Sequence, residues 1–558
     1  MNELQSQSPC LPAARGRWIL VTALLLALYL GVGVFDHDIW SPTEPAVAGV
    51  VWNMFRNGDL ATPRIHDFLY LEKPPLNYWI SLLCCKLAGR LDAGWIRLPS
   101  PLHGLLCLLL TAWTLRRRVV PDALLTLLPL AATGVFFYEI SHRAGSDALA
   151  TVLSFACWAI FLRSLSLDPA ETRRRFRLDA AFALLLAASF YAKNFYTYLV
   201  VLPPVFLFLL IRRQFRRGFR LGLMLGAFSV LLVLPWAMAL HAQGGWDYLR
   251  VVFVDNTFGR FLPLADLRTP GVTPLNDAYV AEKDLSPALY LETLLNFSIP
   301  WVLFYAAAFA ALFRRRDPRD DFRLFLRIAL IAVPLVLTLS ASRVIEYLAP
   351  LFFIYFLAAG EFLSGWLSGS RPLSTGERRL LAANAFLVAA ALMAAPIALA
   401  WILRRPALAL WVLPFALALA ALFRRRAHVR LLAFAFPLFS AAAMGALLFH
   451  AYPALEELKS YRFFFEDIRE AAAGRELLTT FCDDRRLPLL SYYLDQPVPP
   501  IPERDIAALA GGGRRIGLIL PPSLYEQHLE SLQASRPLVI EARRGKTGAF
   551  VFVGLPAE

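Results

Sequence analysis

An acidic and a basic residue stand next to each other at Glu72 and Lys73, inside the segment YLEKPPLNYW at residues 70–79. Two prolines follow the pair, and aromatic side chains flank it. A lysine ammonium group can bind an anionic group and stabilise negative charge that accumulates during a reaction. The adjacent carboxylate can orient that ammonium group. The pair is therefore a candidate site for an anionic ligand such as a phosphate.

Other ionisable residues stand at the edges of apolar stretches. They are Glu44, Asp147 in HRAGSDALATVLSF, Lys193 in SFYAKNFYTY, Arg260 in DNTFGRF, and Arg343, Glu346 and Tyr347 in SASRVIEYLAP. A charge that is buried or half-buried in a membrane is costly, so each residue is a candidate functional residue. Each can equally mark the end of a helix, with its charged group reaching water.

The composition is that of a multi-pass membrane protein. Of the 558 residues, 58% are hydrophobic and 18% are charged, and the mean hydropathy is +0.53. Thirteen apolar runs approach the length of about twenty residues that crosses a bilayer. They lie near 18–35, 95–115, 120–139, 146–163, 178–194, 196–211, 221–241, 289–312, 324–341, 346–366, 380–402, 406–423 and 430–450. The first lacks a small-residue cleavage site and is predicted to be a signal anchor.

The basic residues predict the orientation of these spans. Clusters that would fall on the side of the N-terminus include Arg116–Arg118, Arg173–Arg175, Arg314–Arg316 and Arg424–Arg426, and only Arg404–Arg405 lies on the other side. Basic residues concentrate in cytoplasmic loops, so the N-terminus is predicted to be cytoplasmic. Most of the net charge of +14 is thus explained by the basic residues that orient the spans, and membrane lipid headgroups are the expected partner of these residues. Nucleic acid is not an expected partner.

Three sizeable pieces are predicted on the outer side. Loop one spans about 36–94, a second loop spans about 242–288, and a tail at 453–558 follows the membrane domain at 1–452. Strand patterns at Glu476–Phe481, Arg515–Leu520, Val539–Arg543 and Ala549–Val553, with helical patterns near 461–473 and 523–532, predict a small α/β domain. No disulfide framework, zinc spacing, P-loop or dinucleotide fingerprint is present, so neither an ATP-driven pump nor a redox enzyme is indicated.

Loop one is predicted to contain two helices that lie flat at the outer interface. The first follows WSPTEP and stops at Asn57-Gly58-Asp59, and the second begins with the prolines of PPLNYWISLLCCKLAG. Glu72 and Lys73 would stand at the start of the second helix, at the depth of the headgroups. A lipid phosphate lies at that depth.

The loop-one residues IWSPTEP and GDLATPRIHDFLYLEKPPLNYW resemble the first periplasmic loop of bacterial glycosyltransferases of the protein mannosyltransferase-like group, family 39 and its relatives. Within that group the chain resembles the lipid A aminoarabinose transferases. The resemblance continues through Asp147, Lys193, GRF at 259–261 and the stretch from Ser342 to Pro350. It covers roughly residues 18–365, with weaker support beyond.

The resemblance implies a mainly α, GT-C type bundle of membrane helices with a periplasmic active site in the inner membrane. The donor would be a polyprenyl-phosphate sugar, and the acceptor an envelope lipid or glycan such as lipid A, with protein less favoured. The departing lipid phosphate needs cationic stabilisation, for which the candidates are Lys73, Arg260, Arg343 and Lys193. Glu72, Asp147 and Tyr347 are expected to line the substrate site.

The candidate base departs from the family pattern. Relatives supply it from the Asp of an Asp-Glu pair, but here Thr43 stands before Glu44. Three accounts remain open. Glu44 takes the role of base, or Asp36 or Asp38 reaches in; the acceptor is a phosphate that is already ionised and needs no base; or the enzyme is weakened.

Two further departures concern the cations and a metal. Arg343 stands where relatives usually carry Lys, which keeps the charge, and Asp255-Asn256 stand where the aminoarabinose transferases carry a His. The sequence therefore predicts no tightly bound metal and no cofactor, and a divalent cation is not supported. The alternatives to a transferase are a regulatory protein that binds a lipid phosphate, or a transporter of lipid-linked sugars. A transporter would need polar residues at the bilayer midplane, and here the charges gather at one face.

Overall fold

A computed structural model describes residues 12–256, 288–314, 317, 319–339, 343–424, 429–510, 514–534 and 536–556. Helices dominate the part up to Lys459. Before the fifth apolar run they are α1 (Pro12–Gly31), α2 (Glu44–Asn57), α3 (Leu76–Ala88), α4 (Ala93–Arg97), α5 (Pro99–Leu115), α6 (Pro121–Ala132), α7 (Val135–His142) and α8 (Ser146–Leu165). A short antiparallel hairpin, β1 (Arg64–Ile65) and β2 (Phe68–Leu69), lies between α2 and α3.

The remaining helices of this part follow in chain order. They are α9 (Thr172–Ala188), α10 (Phe190–Lys193), α11 (Tyr196–Ile211), α12 (Phe215–Arg250), α13 (Leu289–Asn296), α14 (Val302–Arg314), α15 (Asp321–Thr338), α16 (Leu351–Leu367), α17 (Thr375–Ile402), α18 (Val412–Arg424) and α19 (Val429–Lys459). A π-helical turn covers Val251–Asp255, and 3-10 turns cover Ile345–Leu348 and Pro406–Trp411.

Each of the thirteen predicted spans coincides with a helix or a pair of consecutive helices. By length and apolar composition, five helical segments of the described residues can cross a bilayer singly, and α6 with α7, bent by 67°, makes a sixth candidate. The protein is a multi-pass membrane protein. The number of thirteen spans stays a prediction. The predicted second outer loop begins as the end of α12, and its residues 257–287 lie outside the described part.

The membrane helices share one large apolar core. Trp158 of α8 is fully buried, and its ring lies 6.5 Å from that of Phe353 in α16 and 6.3 Å from that of Phe325 in α15. Buried aromatic side chains of this size dominate the energetics of packing. The core therefore holds α8, α15 and α16 together.

The two helices predicted in loop one are present as α2 and α3. Pro45 lies in the first turn of α2, where its missing N–H costs nothing, and Gly58 ends the helix with φ 74°. A positive φ is accessible to glycine without the steric cost of a Cβ atom. The Asn-Gly-Asp stop is thereby confirmed, whereas the flat orientation of α2 and α3 in the membrane stays a prediction.

The tail contains a four-stranded mixed sheet. Its elements are α20 (Arg462–Ala472), β3 (Glu476–Thr479), α21 (Leu487–Leu494), a 3-10 turn at Glu503–Asp505, α22 (Ile506–Ala510), β4 (Ile516–Leu520), α23 (Pro522–Gln527), α24 (Leu529–Gln533), β5 (Leu538–Glu541) and β6 (Val551–Gly554). The strand order is β3-β4-β6-β5, with β3 parallel to β4 and the other pairs antiparallel. Each of the four predicted strands is present, with its ends shifted by no more than two residues.

The tail packs directly on loop one. Side chains of both parts, among them Val50, Tyr78, Phe464 and Leu490, belong to one hydrophobic core. Helix α21 lies against α2, and Arg56 and Trp52 of α2 both bond to Asp495 of the tail, the indole at 3.1 Å. Helix α19 runs without a break through position 453, where the sequence suggested a boundary.

Gly49 lies where loop one and the tail approach each other closely. A methyl group added at Gly49 would lie 2.5 Å from Cβ and 3.1 Å from Cα of Pro488 in α21. We expect Gly49→Ala to push α21 away and to cost about 1–3 kcal/mol, the usual range for overpacking. Thermal unfolding in detergent measures the effect. Gly222→Ala, in α12 with open space around the added methyl, is the matched control and should be neutral or stabilising. Equal midpoints for the two variants would contradict this packing.

Candidate active site

Loop one delivers Lys73 to a cluster of charged side chains. Lys73 lies between β2 and α3, and its Nζ is 2.5 Å from Oε1 of Glu72. The ammonium group also interacts electrostatically with Asp147, at the start of α8. The amide nitrogen of Asn194, next to α10, donates to the backbone carbonyl of Glu72 at 3.3 Å. Residues distant in sequence thus meet around Lys73.

Asp147 is the acidic centre of this cluster. Its Oδ1 accepts a hydrogen bond from the ammonium group of Lys193, and its Oδ2 lies 3.7 Å from Nη2 of Arg143. The same Nη2 donates to Oε1 of Glu346 at 2.8 Å. Two cations therefore share Asp147, and Arg143 connects it to the 3-10 turn before α16.

Aromatic rings enclose the ammonium group of Lys193. Its Nζ lies 4.7 Å from the ring centroids of both Tyr196 and Tyr347. The Tyr196 hydroxyl donates to the backbone carbonyl of Tyr347 at 2.9 Å, which fixes the two rings relative to each other. Cation–π contacts and the ion pair with Asp147 together stabilise this buried charge.

The structure places some of the predicted phosphate-binding and substrate-site residues together, and others elsewhere or outside the described part. The structure brings Lys73, Glu72, Asp147, Lys193 and Tyr347 into one cluster. Arg343 lies three residues before Glu346, and its Nη2 donates to the carbonyl of Thr338 at 3.1 Å. Arg260 lies outside the described residues.

The carboxylate of Glu44 accepts four hydrogen bonds and is saturated by them. Its Oε1 accepts from Nε of Arg97 at 2.8 Å and from the Ala144 N–H at 3.0 Å. Its Oε2 accepts from Nη2 of Arg97 at 2.8 Å and from the Trp40 N–H at 3.0 Å. A carboxylate offers about four acceptor positions, so none remains for an acceptor substrate.

Arg97 is equally satisfied. Besides bonding to Glu44, its guanidinium donates to the backbone carbonyls of Val34, His37 and Asp38 at 2.7, 3.2 and 2.8 Å. All five N–H groups of the fully buried guanidinium are therefore used. Burial disfavours the ionised form of Glu44, but the charge and hydrogen bonds of Arg97 outweigh it and lower the pKa of Glu44 to about 2. A carboxylate with that pKa is a weak proton acceptor.

The two alternative carboxylates also lie apart from the Lys73 cluster. Asp36 accepts from the Gly33 N–H at 2.7 Å and bonds to the His37 ring at 2.9 Å; burial opposes its ionisation, but these bonds lower the pKa of Asp36. Asp38 bonds to its neighbour Ile39, and burial, with the negative charge of Glu456, raises the pKa of Asp38 to about 6. In the described part of the chain, neither carboxylate bonds to Lys73, Lys193 or Asp147.

Sequence reasoning missed two arginines that organise this region. Arg97 in GWIRLPSP is a single charge at the edge of an apolar run. Burying a lone charge there costs free energy, and that cost was the signal by which the sequence could have identified it. Arg143 precedes Asp147 by four residues, a spacing that permits ion pairing on a helix, although here the two flank the break between α7 and α8. Thr43, at the position of the expected base, precedes α2 as its N-cap residue and makes no side-chain capping bond.

The cluster is a candidate site for an anion. Lys73, Arg143 and Lys193 carry positive charge, and Glu72, Asp147 and Glu346 hold those side chains in place. Preorganised cations in a partly buried site stabilise charge that develops on a phosphate oxygen. The described residues contain no group of three or more His, Cys, Asp or Glu side chains that could hold a metal ion, so the prediction about a metal stays untested.

Comparison with known proteins gives relatives at low identity, and no family model matches the chain. The undecaprenyl phosphate-alpha-4-amino-4-deoxy-L-arabinose arabinosyl transferase 1 of Pseudomonas fluorescens is 27% identical over 380 residues, covering 66% of this chain and 63% of that protein. The corresponding transferase of Pectobacterium atrosepticum is 24% identical over 377 residues, covering 66% and 62%. The matches thus span less than two thirds of the length of these relatives. They confirm the predicted resemblance to the aminoarabinose transferases.

Two crystal structures share the fold. ArnT from Cupriavidus metallidurans bound to undecaprenyl phosphate aligns with a TM-score of 0.77 at 17% identity, covering 97% of this chain and 98% of that one. The apo state of the same protein gives a TM-score of 0.74 at 18% identity. The predicted GT-C type helical fold is confirmed.

The Glu44–Arg97 pair predicts a stability effect with a defined pH dependence. Glu44→Gln leaves a buried guanidinium without its counter-charge, which typically costs about 3–5 kcal/mol. Because the pKa of Glu44 is lowered to about 2 in the folded state, against about 4.3 in an unfolded chain, its contribution is complete above the unfolded value and is lost as the pH falls toward 2. We therefore expect a lower melting temperature for the variant, by the same amount at every pH from about 5 to 8.

The matched control is Glu171→Gln, which removes a half-exposed ion pair with Arg174 and should change the melting temperature little. A Glu44→Gln protein of unchanged melting temperature that had lost activity would instead identify Glu44 as a base.

Proposed function

We propose that the chain is a membrane glycosyltransferase that moves a sugar from a polyprenyl-phosphate donor to a phosphate group of an envelope lipid such as lipid A. One observation carries the proposal: three cations converge on Asp147 and Glu72, whereas the candidate base Glu44 is closed by Arg97. The relatives are named as undecaprenyl phosphate-aminoarabinose transferases, and the crystal structure of similar fold holds undecaprenyl phosphate. Both names support a polyprenyl-phosphate donor here.

The donor side requires stabilisation of a leaving group. When the bond between the sugar and the lipid phosphate breaks, the bonding electron pair stays on the phosphate oxygen. A phosphate is a weak base, so its departure needs no general acid but is accelerated by nearby cations. Lys73 is the cation on loop one, Lys193 is the last residue of α10, and Arg143 lies in the link between α7 and α8. We assign the donor phosphate to these three residues.

The acceptor side requires a nucleophile that can attack the sugar. A hydroxyl group needs a carboxylate within hydrogen-bond reach to take its proton. Glu44 has no acceptor position left, and Asp147 is engaged by two cations. A phosphate acceptor is already ionised at neutral pH and attacks without a base. The closed Glu44 and the relatives' names therefore favour a phosphate acceptor, and Glu44 acts as a structural residue.

The site faces the periplasm in this proposal. The basic clusters predict a cytoplasmic N-terminus, and loop one and the tail then lie outside the inner membrane. The contact between α21 and α2 requires loop one and the tail to be on the same side, as this orientation does.

The choice of acceptor can be tested by supplying an undecaprenyl-phosphate aminosugar to the purified protein in proteoliposomes. We expect transfer to lipid A and a loss of at least a hundredfold when the acceptor is first dephosphorylated. Lys73→Ala should nearly abolish transfer, because the departing phosphate loses a cation. Sugar-modified lipid is quantified by mass spectrometry.

The matched control is Lys86→Ala, an exposed lysine at the far end of the same helix α3, which should keep normal turnover. Equal transfer to the dephosphorylated lipid would contradict a phosphate acceptor. Donor binding without any transfer would instead favour a regulatory protein that binds a lipid phosphate.

The orientation can be tested at Cys482, a free and exposed thiol in the tail. A membrane-impermeant maleimide added to spheroplasts should label Cys482, and the Cys482→Ser variant should lose that label. Peptide mass spectrometry identifies the modified residue. Labelling of Cys482 only after the membrane is permeabilised would place the tail, and with it the site, in the cytoplasm.

A further inference from the structure

A tyrosine hydroxyl connects the tail to the Lys73 cluster. The Tyr70 hydroxyl lies 3.1 Å from Oε2 of Glu72 and 3.1 Å from Oδ2 of Asp484. Glu72 in turn holds Lys73 through its other oxygen at 2.5 Å. We propose that Asp484 is a positioning residue: through Tyr70 and Glu72, the tail sets the place of the Lys73 ammonium group. The inference rests on the proposed function, because Lys73 is taken there to bind the donor phosphate.

Burial makes this chain of contacts specific. Tyr70 is 7% exposed and Asp484 is 8% exposed, so water competes little for their hydrogen bonds. A phenol has one proton, so Tyr70 can donate to only one of the two carboxylates at a time. The positions of Glu72 and Asp484 are therefore coupled through the Tyr70 hydroxyl, and a substitution at Asp484 changes whether that hydroxyl donates to Glu72.

The turn that carries Asp484 is itself fixed. The neighbouring Asp483 accepts from the N–H groups of Arg485 and Arg486 at 3.0 and 2.8 Å, and its carbonyl accepts from the Leu487 N–H, which begins α21. Asp483 thus closes the turn and leaves the Asp484 side chain directed at Tyr70. The two adjacent acidic residues have different tasks, one local and one across the interface.

A second contact fixes the tail independently of Asp484. At the other end of α21, Asp495 accepts from Nε1 of Trp52 at 3.1 Å and from Nε of Arg56 at 3.0 Å. Both donors belong to α2 of loop one, and neither bonds to Glu72 or Lys73. Asp495 therefore tests docking of the tail in general, whereas Asp484 tests the connection to Lys73.

The experiment compares Tyr70→Phe, Asp484→Asn, their double variant and Asp495→Asn in the transfer assay. Loss of a hydrogen bond to a charged group predicts a fall in kcat of about tenfold or more in each of the first two variants. The double variant should fall no further, because both substitutions break the same chain. Asp495→Asn should keep the kcat of the parent protein. Melting temperatures identify any variant whose loss is due to unfolding.

A second readout does not depend on transfer. The rate at which an amine-reactive ester modifies Lys73, measured by peptide mass spectrometry, should rise severalfold in Tyr70→Phe and in Asp484→Asn and stay unchanged in Asp495→Asn. Unchanged labelling of Lys73, or losses of kcat that multiply in the double variant, would overturn the inference. A parent protein that transfers no sugar but shows the labelling pattern would refute the proposed function and leave the positioning chain intact.

Discussion

The buried ion pair of Glu44 and Arg97 is the constraint on which the outer face depends. Its partners come from the chain before α2, from α4 and from the link between α7 and α8. The first segment precedes α2 and the hairpin before Lys73, and the last contains Arg143 and ends just before Asp147. A buried charge pair stabilises a structure only when its remaining hydrogen-bonding groups are satisfied. Here every N–H group of the guanidinium and both carboxylate oxygens have partners.

The acidic residues near the outer face therefore divide into two kinds. Glu44 contributes to folding, because its charge is neutralised and its lone pairs are occupied. Asp147 and Glu72 form ion pairs with Lys193 and Lys73, the cations that we propose bind the donor phosphate. Under the proposed function, this division accounts for Thr43 at the position where a carboxylate was expected. If the acceptor brings its own negative charge, no base is needed at that position.

The tail is part of the same outer structure. Loop one and the tail bury their apolar side chains in one shared core. Either part alone would therefore expose apolar surface to water. Gly49 permits the close approach of α21, and Tyr70 carries the contact onward to Glu72. The proposed influence of the tail on Lys73 runs through these contacts of Tyr70 and Glu72.

The sequence by itself determined the local properties of this protein. The apolar runs, the helix end at Gly58 and the strands of the tail follow from hydropathy and turn residues, which depend on neighbours in the chain. The adjacent charges of Glu72 and Lys73 likewise marked this pair as a candidate site. Only the tertiary structure decided which ionisable groups meet. Arg97 could have paired with Asp36, Asp38 or Glu44, and Asp484 lies more than four hundred positions from Tyr70. Ion pairs and hydrogen bonds at such separations depend on how helices pack, and packing brings together residues whose spacing in sequence carries no signal.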